Sequence, residues 1–248
     1  MAERAKSAAN TLAPPGARNA RPANARAGAN KPGGASSRAG RTSSAGPGRS
    51  KDSNGGHVKP GLNPRKHRTT TALVLIDLVN TWQMDGGERL RRKALAQLPR
   101  LANLKQRATQ AGAPVIFVND NFGQWRSDFA RVIEHARTMS EEGARIVDAL
   151  CPGPEDYFVL KPRHSGFFST PLQLLLQELG VETVVLCGAA GDQCVLATAG
   201  DALVRKFKVV IPRDGIICVD AQRTAATLTH FRRSMQIPTP ASSEVKWR

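Results

Sequence analysis

The sequence predicts an α/β protein whose doubly wound, mainly parallel sheet lies between two helical layers, a Rossmann-like three-layer α/β/α arrangement preceded by a disordered basic tail. Residues 69–248 alternate short apolar runs with segments of helical periodicity. The apolar runs lack polar alternation, which is typical of strands buried on both faces. Residues 1–68, by contrast, contain almost no large apolar side chain.

Residues 1–68 form the predicted tail. They carry fourteen Lys and Arg against two acidic residues, a net charge of +12, whereas residues 69–248 carry only +4. A segment this polar cannot bury enough surface to offset the entropy of ordering, which predicts disorder. A basic arm can bind nucleic acid through its phosphates. We favour a solvated extension, because no aromatic residue is interleaved with the basic ones.

The composition also bears on compartment and metal content. The sequence contains no signal-peptide pattern and no apolar stretch of membrane-spanning length. The cysteines at positions 151, 187, 194 and 218 form no Cys-x-x-Cys pair and have no nearby histidine at ligand spacing, which disfavours a zinc site. Reduced thiols without a leader predict a cytoplasmic location.

Five apolar runs predict the strands. They are Thr71–Asp77, Pro114–Asn119, Tyr157–Leu160, Glu182–Cys187 and Lys208–Pro212. Segments of helical spacing or with capping signals follow each of them. The predicted helices cover 88–111, 140–149, 169–180, a segment from about 193, and 220–234. Gly112 ends the first helix, and Pro99 inside it predicts a break or kink. Strands that alternate with helices imply right-handed crossovers and a parallel sheet.

Three ionisable residues follow predicted strands. Asp77 closes the first strand, Lys161 follows the third and Cys194 follows the fourth. Such sheets bind ligands at the carboxyl ends of their strands, so these residues are expected to converge. Each alone has a structural interpretation, since a strand-end Asp often caps a helix and a Lys there is usually solvated. Their coincidence at one edge favours a functional site.

Cys194 stands where a strand and a tight turn give way to a helix. The turn Gly188–Gln193 precedes it, and a helical run follows. A thiol at a helix N-terminus lies near unpaired N–H groups, so its pKa is expected to fall. Hydrolases present nucleophiles in this way, although a cysteine is more often a small buried apolar residue.

These residues lie in segments that resemble the isochorismatase-like cysteine hydrolases. Leu186–Ala202 (LCGAAGDQCVLATAGDA) resembles the family signature, and Lys161–Leu172 (KPRHSGFFSTPL) resembles the segment with the catalytic lysine. Leu73–Asp77 (LVLID) resembles the first strand with the catalytic aspartate, and Val118–Phe129 is similar to a loop of one subgroup. The resemblance covers roughly residues 70–235.

The resemblance implies a cofactor-independent hydrolase that cleaves a C–N bond of a small amide or ureido substrate through a thioester. It implies that Cys194 is the nucleophile, Asp77 the general acid and base, and Lys161 the cation that holds the thiolate. A cis peptide between Ala189 and Ala190 would direct a backbone N–H inward, so that Ala190 and Cys194 form the oxyanion hole. The resemblance also implies a homo-oligomer.

Two departures from the family pattern bear on this prediction. Gly191 stands where the family commonly has threonine, which leaves open a non-catalytic member that binds a small ligand or a protein. Nicotinamidases of the family bind a metal through Asp-x-His, but Asp120-Asn-Phe122 lacks that histidine, so no metal is expected. True isochorismatases replace the cysteine, so Cys194 favours an amide over a vinyl ether.

Side chains near the inferred strand ends are candidates for substrate contacts. They are Trp82, Phe122, Trp125, Arg126 and Phe167. Arg126 could bind a substrate carboxylate with two hydrogen bonds. Aromatic residues at these positions are as often core or oligomer contacts. His164 follows the lysine closely and could act as a base, but the family mechanism does not need it, so we leave it out of the predicted site.

Overall fold

A computed structural model describes residues 67–150 and 152–248, all within one compact unit. The strands are β1 (Thr71–Ile76), β2 (Val115–Asp120), β3 (Tyr157–Lys161), β4 (Thr183–Ala189), β5 (Lys208–Val210) and β6 (Ile216–Ile217). The helices are α1 (Gly87–Ala111), α2 (Phe129–Met139), α3 (Glu141–Leu150), α4 (Leu172–Glu178), α5 (Leu196–Val204) and α6 (Ala221–Arg233). A π-helical turn (Gly191–Val195) precedes α5, and a 3-10 turn (Ser242–Glu244) lies near the end.

The six strands form one parallel sheet in the order β3-β2-β1-β4-β5, with β6 beside β4. The chain therefore runs outward on one side from β1 to β3 and then returns to the other side of β1. This reversal makes the boundary between β1 and β4 the topological switch point, where doubly wound sheets bind ligands. The predicted fold class is confirmed.

Two apolar layers cover the sheet, because successive side chains of a strand point to opposite faces. Leu73 and Leu75 of β1 pack with α1, α2 and α3. Val74 and Ile76 point to the other face and pack with α4, α5 and α6. All six residues of β1 are buried, as its continuous apolar run predicts. β1 is thus the centre of the sandwich.

The helix α1 continues through Pro99, so the predicted break is wrong. Pro99 is exposed, and a proline on the solvent face of a helix leaves the freed carbonyl open to water. Gly112 ends the helix in the left-handed region at φ 75, as predicted. The sequence interpretation missed α2 and β6. Only Phe129 and Ala136 of α2 are buried, which gives a weak periodic signal, and β6 has only two residues.

The two ends of the described domain lie together at the edge where the strands begin. Thr70 N–H donates to the carbonyl of Arg248, the last residue. His67 and Arg68, which the sequence assigned to the tail, both contact the carbonyl of Gly112. The predicted disorder of the tail otherwise concerns residues 1–66, which lie outside the described residues. None of the described helices has the length and apolarity needed to cross a bilayer.

Gly188 allows β4 to approach β1 closely. Its φ is 127°, and a Cβ atom at this position would lie 2.0 Å from the carbonyl oxygen of Ile76. Any side chain here would push apart the two strands that flank the switch point.

We therefore expect Gly188→Ala to lower the free energy of unfolding by about 3 kcal/mol, through backbone strain and the clash with Ile76. Gly180→Ala is the matched control, because Gly180 also has a positive φ, 66°, but a methyl group there would have no neighbouring atom within 4 Å. Urea denaturation of both variants would measure the difference. Equal losses would mean that backbone conformation, and not the approach to Ile76, explains the glycine.

Candidate active site

Asp77, Lys161 and Cys194 meet at the carboxyl end of the sheet. Asp77 follows β1, Lys161 is the last residue of β3, and Cys194 lies in the π-helical turn after β4. Lys161 Nζ lies 2.8 Å from Asp77 Oδ2 and 3.6 Å from Cys194 Sγ. The structure therefore brings the three predicted catalytic residues together, although 84 and 33 positions separate them along the chain.

Asp77 is fixed by backbone and side-chain contacts. Its φ of 50° lies in the left-handed region, which Asp tolerates better than most residues. Its N–H donates to the Val118 carbonyl, and its Oδ1 accepts a 2.7 Å hydrogen bond from Asp120 N–H. Burial raises the pKa of Asp77, and the attraction of Lys161 offsets this only in part. A carboxylate with a raised pKa is a better proton acceptor for a thiol.

Lys161 is completely buried at the end of β3. Its strand register pairs it with Asp120 of β2, whose Oδ2 lies 3.4 Å from Nζ. Burial acts to lower the pKa of Lys161, but attraction by the acidic groups around it, Asp77 first, outweighs burial and raises the pKa. The lysine therefore stays charged beside the thiol.

Cys194 is half-buried, and its environment disfavours the thiolate. Burial and the charge of Asp77 raise the pKa of the Cys194 thiol to about 12, although Lys161 acts in the opposite direction. The expected fall in pKa is therefore wrong. Burial is the main reason, because it disfavours the charged form of the thiol, and the nearby carboxylate, which also hydrogen-bonds the thiol, adds to it, since negative charge destabilises a second anion. The thiol needs a proton acceptor in direct contact.

The backbone before Cys194 has the geometry that the resemblance implies. The peptide bond between Ala189 and Ala190 is cis. Ala190 and Cys194 both line the same cavity, so their backbone lies beside the space available to a substrate. Their N–H groups are therefore the candidates for donors to a substrate oxygen.

The space around Gly191 is filled by neighbouring side chains. A Cβ atom at position 191 would lie 2.8 Å from Cys218 Sγ and 3.2 Å from Ile216 Cβ. Cys218 and Ile216 therefore occupy the room that a larger residue would need. Gly191 therefore fits a loop in which these two neighbours take the place of a larger side chain. The glycine is not by itself a sign of a loose loop or an inactive site.

The cavity beside Cys194 has a volume of about 250 Å³. Of the predicted substrate contacts, Trp82 and Phe122 line it, whereas Trp125, Arg126 and Phe167 do not. Trp125 is 78% exposed on the loop after β2. Phe167 is buried in the core, where its ring stacks against Phe207. Closeness to a strand end therefore predicted the region but not the direction of these side chains.

Two residues outside the predicted site also contact its side chains. Asp120 is the last residue of β2 and contacts Lys161. Its position at a strand end could have identified it in the sequence as a site residue. His164 Nδ1 lies 3.6 Å from Cys194 Sγ. Its location three residues after Lys161 did not reveal the direction of its ring.

No group of three or more His, Cys, Asp or Glu side chains with metal-binding geometry occurs among residues 67–150 and 152–248. Asp120, the first residue of the Asp-x-His position, contacts Lys161 and accepts a hydrogen bond from Phe122 N–H. Its carboxylate thus balances the buried lysine.

A doubly wound sheet that holds a Cys, a Lys and an Asp together beside a cavity at the carboxyl ends of its strands is typical of α/β hydrolytic enzymes. The Isochorismatase domain family matches residues 71–243. The chain belongs to the isochorismatase family, and the predicted enzyme class, an isochorismatase-like hydrolase, is confirmed.

Individual relatives agree with this assignment. The chain is 37% identical over 145 residues to an uncharacterised isochorismatase family protein of Bacillus subtilis, covering 58% of this chain and 79% of that protein. It is 29% identical over 192 residues to a ureidoacrylate amidohydrolase of Methylobacterium radiotolerans, covering 67% and 72%. The structure of N-carbamoylsarcosine amidase from Thermoplasma acidophilum superposes with a TM-score of 0.53 at 25% identity, covering 71% and 98%.

We expect Lys161→Met to lower the free energy of unfolding by about 3–5 kcal/mol at pH 7, because it leaves the buried Asp77 carboxylate without its partner. Adding Asp77→Asn should recover part of this loss. Lys208→Met is the control: the Lys208–Glu182 pair is exposed, so its removal should cost less than about 1 kcal/mol. Urea denaturation of these three variants and of Asp77→Asn alone measures the losses, and a loss in the double variant equal to the sum of the two single losses would contradict a coupled buried pair.

Proposed function

We propose that the protein is a cysteine-dependent hydrolase that cleaves a C–N bond of a small amide or ureido compound. The observation that carries the proposal is the position of the Cys194 thiol, in contact with both Lys161 and Asp77 and facing the cavity. Named relatives that hydrolyse amide and ureido compounds support the bond type.

The first half of the reaction begins with the neutral thiol. Asp77 takes the proton from Cys194 Sγ, while Lys161 balances the negative charge that forms on sulfur. The thiolate attacks the carbonyl carbon, a C–S bond forms, and the carbonyl electron pair moves to oxygen. The N–H groups of Ala190 and Cys194 are the proposed donors to this oxyanion, and one such donor is typically worth about 10²–10³ in rate.

The second half releases both products. The oxyanion collapses, the C–N bond breaks, and Asp77 returns its proton to the departing nitrogen. The acyl group remains on Cys194 as a thioester. Asp77 then removes a proton from a water molecule, and the resulting hydroxide attacks the thioester carbonyl. The C–S bond breaks, and Asp77 gives its proton to the released thiolate, which restores the thiol. The thiol proton thus ends on the departing nitrogen and the water proton on sulfur, so the reaction requires no cofactor.

The charge of the cavity narrows the substrate class. Its described lining includes Asp77, Asp85, Asp120 and Asp192, but no Lys or Arg. Asp192 is paired with Arg223, and Asp77 and Asp120 both contact Lys161, so Asp85 is the lining carboxylate without an ion pair to a described residue. Lys161 contacts the site from its buried side, where Asp77 already balances its charge. Arg126, the predicted carboxylate partner, lies elsewhere. The acidic lining, without a free cation among its described residues, supports a neutral or cationic amide as the substrate over one that carries a carboxylate.

The alternatives have less support. With Cys218 and Ile216 filling the space beside Gly191, no observation now favours a non-catalytic binding protein. The nucleic-acid hypothesis depends on residues outside the described part of the chain. A homo-oligomer and a cytoplasmic location stay predictions.

We expect ammonia release from at least one compound in a panel of small primary amides and ureido compounds, and its loss by at least about 10³-fold in Cys194→Ala, because Cys194 is the described thiol that lines the cavity. Cys187→Ala is the control, since that thiol is buried in the core of β4 and its removal should change stability but not the chemistry. Release that survives Cys194→Ala would exclude the proposed nucleophile.

We further expect a neutral amide to have a higher kcat/KM than a carboxylate-bearing amide of the same size, because the lining has more carboxylates than cationic partners and the Asp85 carboxylate would repel an anionic substrate. Asp85 is exposed and makes no ion pair with another described residue. Asp85→Asn should therefore raise kcat/KM for the anionic compound about two- to fivefold and leave the neutral one unchanged. A wild-type preference for the carboxylate would contradict this assignment.

A further inference from the structure

The turn before α1 presents a carboxylate to the cavity beside Cys194. The Met84 carbonyl accepts a 2.8 Å hydrogen bond from Gly87 N–H, which closes a four-residue turn. Asp85 is the second residue of this turn, and Gly86 is the third. Gly86 has φ 75° and ψ 1°, the values typical of the third residue of a type II turn. Because the hydrogen bond and the glycine fix this backbone, Asp85 has a defined place in the cavity wall.

The charge of Asp85 is not balanced within the described part of the protein. The other three carboxylates of the cavity lining contact Lys161 or Arg223. Asp85 is exposed and forms no ion pair with any residue of 67–150 or 152–248. A cation that enters with a substrate therefore does not have to displace a lysine or arginine of these residues from Asp85.

The other walls and the size of the cavity suit a small organic cation. Trp82 and Phe122 line the cavity, and aromatic rings attract cations as well as apolar groups. The volume of about 250 Å³ equals that of about eight water molecules at about 30 Å³ each. A substrate whose amide contacts Cys194 thus has room for only a few further atoms. A charged group among those atoms lies close to the turn.

We propose that the substrate is a small amide with a positively charged group, such as an ammonium, and that Asp85 is the specificity-determining residue that binds this group. The inference rests on the proposed function and deepens it, because it adds an attractive contact to the expected exclusion of carboxylates. Asp85 takes no part in making or breaking bonds. Since its side chain is exposed, added salt should weaken the attraction.

The first test measures the charge preference of the cavity without a substrate. Cys194 is modified by neutral methyl methanethiosulfonate and by cationic 2-(trimethylammonium)ethyl methanethiosulfonate, and mass spectrometry identifies the modified residue. The thiolate attacks the sulfenyl sulfur of the reagent, a new S–S bond forms, and methanesulfinate leaves with the electron pair of the old one. The fraction of ionised thiol is common to both reactions, so it cancels from the ratio of their rates.

We expect Asp85→Asn to lower the cationic-to-neutral rate ratio at Cys194 about fivefold at low ionic strength, and less when salt is added. Asp85→Glu keeps the charge and should keep the ratio. Glu88→Gln is the matched control, because it removes the same charge from an exposed side chain that pairs with Arg92 and does not line the cavity. This control should leave the ratio unchanged.

The second test compares two amides with the same number of heavy atoms. β-Alaninamide carries an ammonium group at pH 7 where butanamide carries a methyl group. Binding of each is measured as protection of Cys194 from the neutral reagent, so it does not require turnover. We expect β-alaninamide to protect the wild-type protein at about fivefold lower concentration than butanamide, and Asp85→Asn to remove this difference.

An unchanged rate ratio in Asp85→Asn overturns the proposal, and so does an equal fall in Glu88→Gln, which would indicate a general surface field. Protection by butanamide at the same or a lower concentration than β-alaninamide overturns it as well. None of these outcomes depends on hydrolysis. Ammonia release that persists in Cys194→Ala would instead exclude the proposed nucleophile, whatever the two charge tests show.

Discussion

The buried ion pair between Lys161 and Asp77 is the interaction on which the site depends. Two charges removed from water cost several kcal/mol each unless they have close partners. The parallel register supplies these partners, because it sets Lys161 beside Asp120 and sets Asp77 against the backbone of β2. The sheet must therefore keep this register if the charges of Lys161 and Asp77 are to stay paired while buried. These two charges in turn determine the electrostatic surroundings of the Cys194 thiol.

This arrangement changes how the nucleophile is activated. A cysteine at a helix terminus is expected to ionise readily, but here the carboxylate that we propose as its proton acceptor also opposes its charge. The resting thiol is thus neutral, and ionisation moves a proton within the site without creating a net charge. Such a cluster can occupy a half-buried site, because the resting thiol adds no charge to it. Additional charge is separated only while the proton moves away from sulfur.

The sequence predicted the fold well because β1 and its neighbours are continuous apolar runs, and because strand ends meet at one edge of a parallel sheet. It thereby also predicted which residues could converge. It could not predict directions: Phe167 turns into the core, Trp125 extends into solvent, and His164 turns toward the thiol. The helix α2 was missed for a related reason, since its few buried residues give little periodicity, although Asp128 accepts a hydrogen bond from Arg131 N–H as a recognisable cap.

The contact between Thr70 and Arg248 has a consequence for how the domain can be linked to other molecules. Both ends of the described domain leave the sheet where the strands begin, whereas the cavity opens where the strands finish. A surface or an attached label joined at Arg248 would therefore face away from the substrate entrance. Immobilisation at Arg248 should leave diffusion into the cavity unhindered, and the adjacent ends of the described domain make it a suitable scaffold for circular permutation.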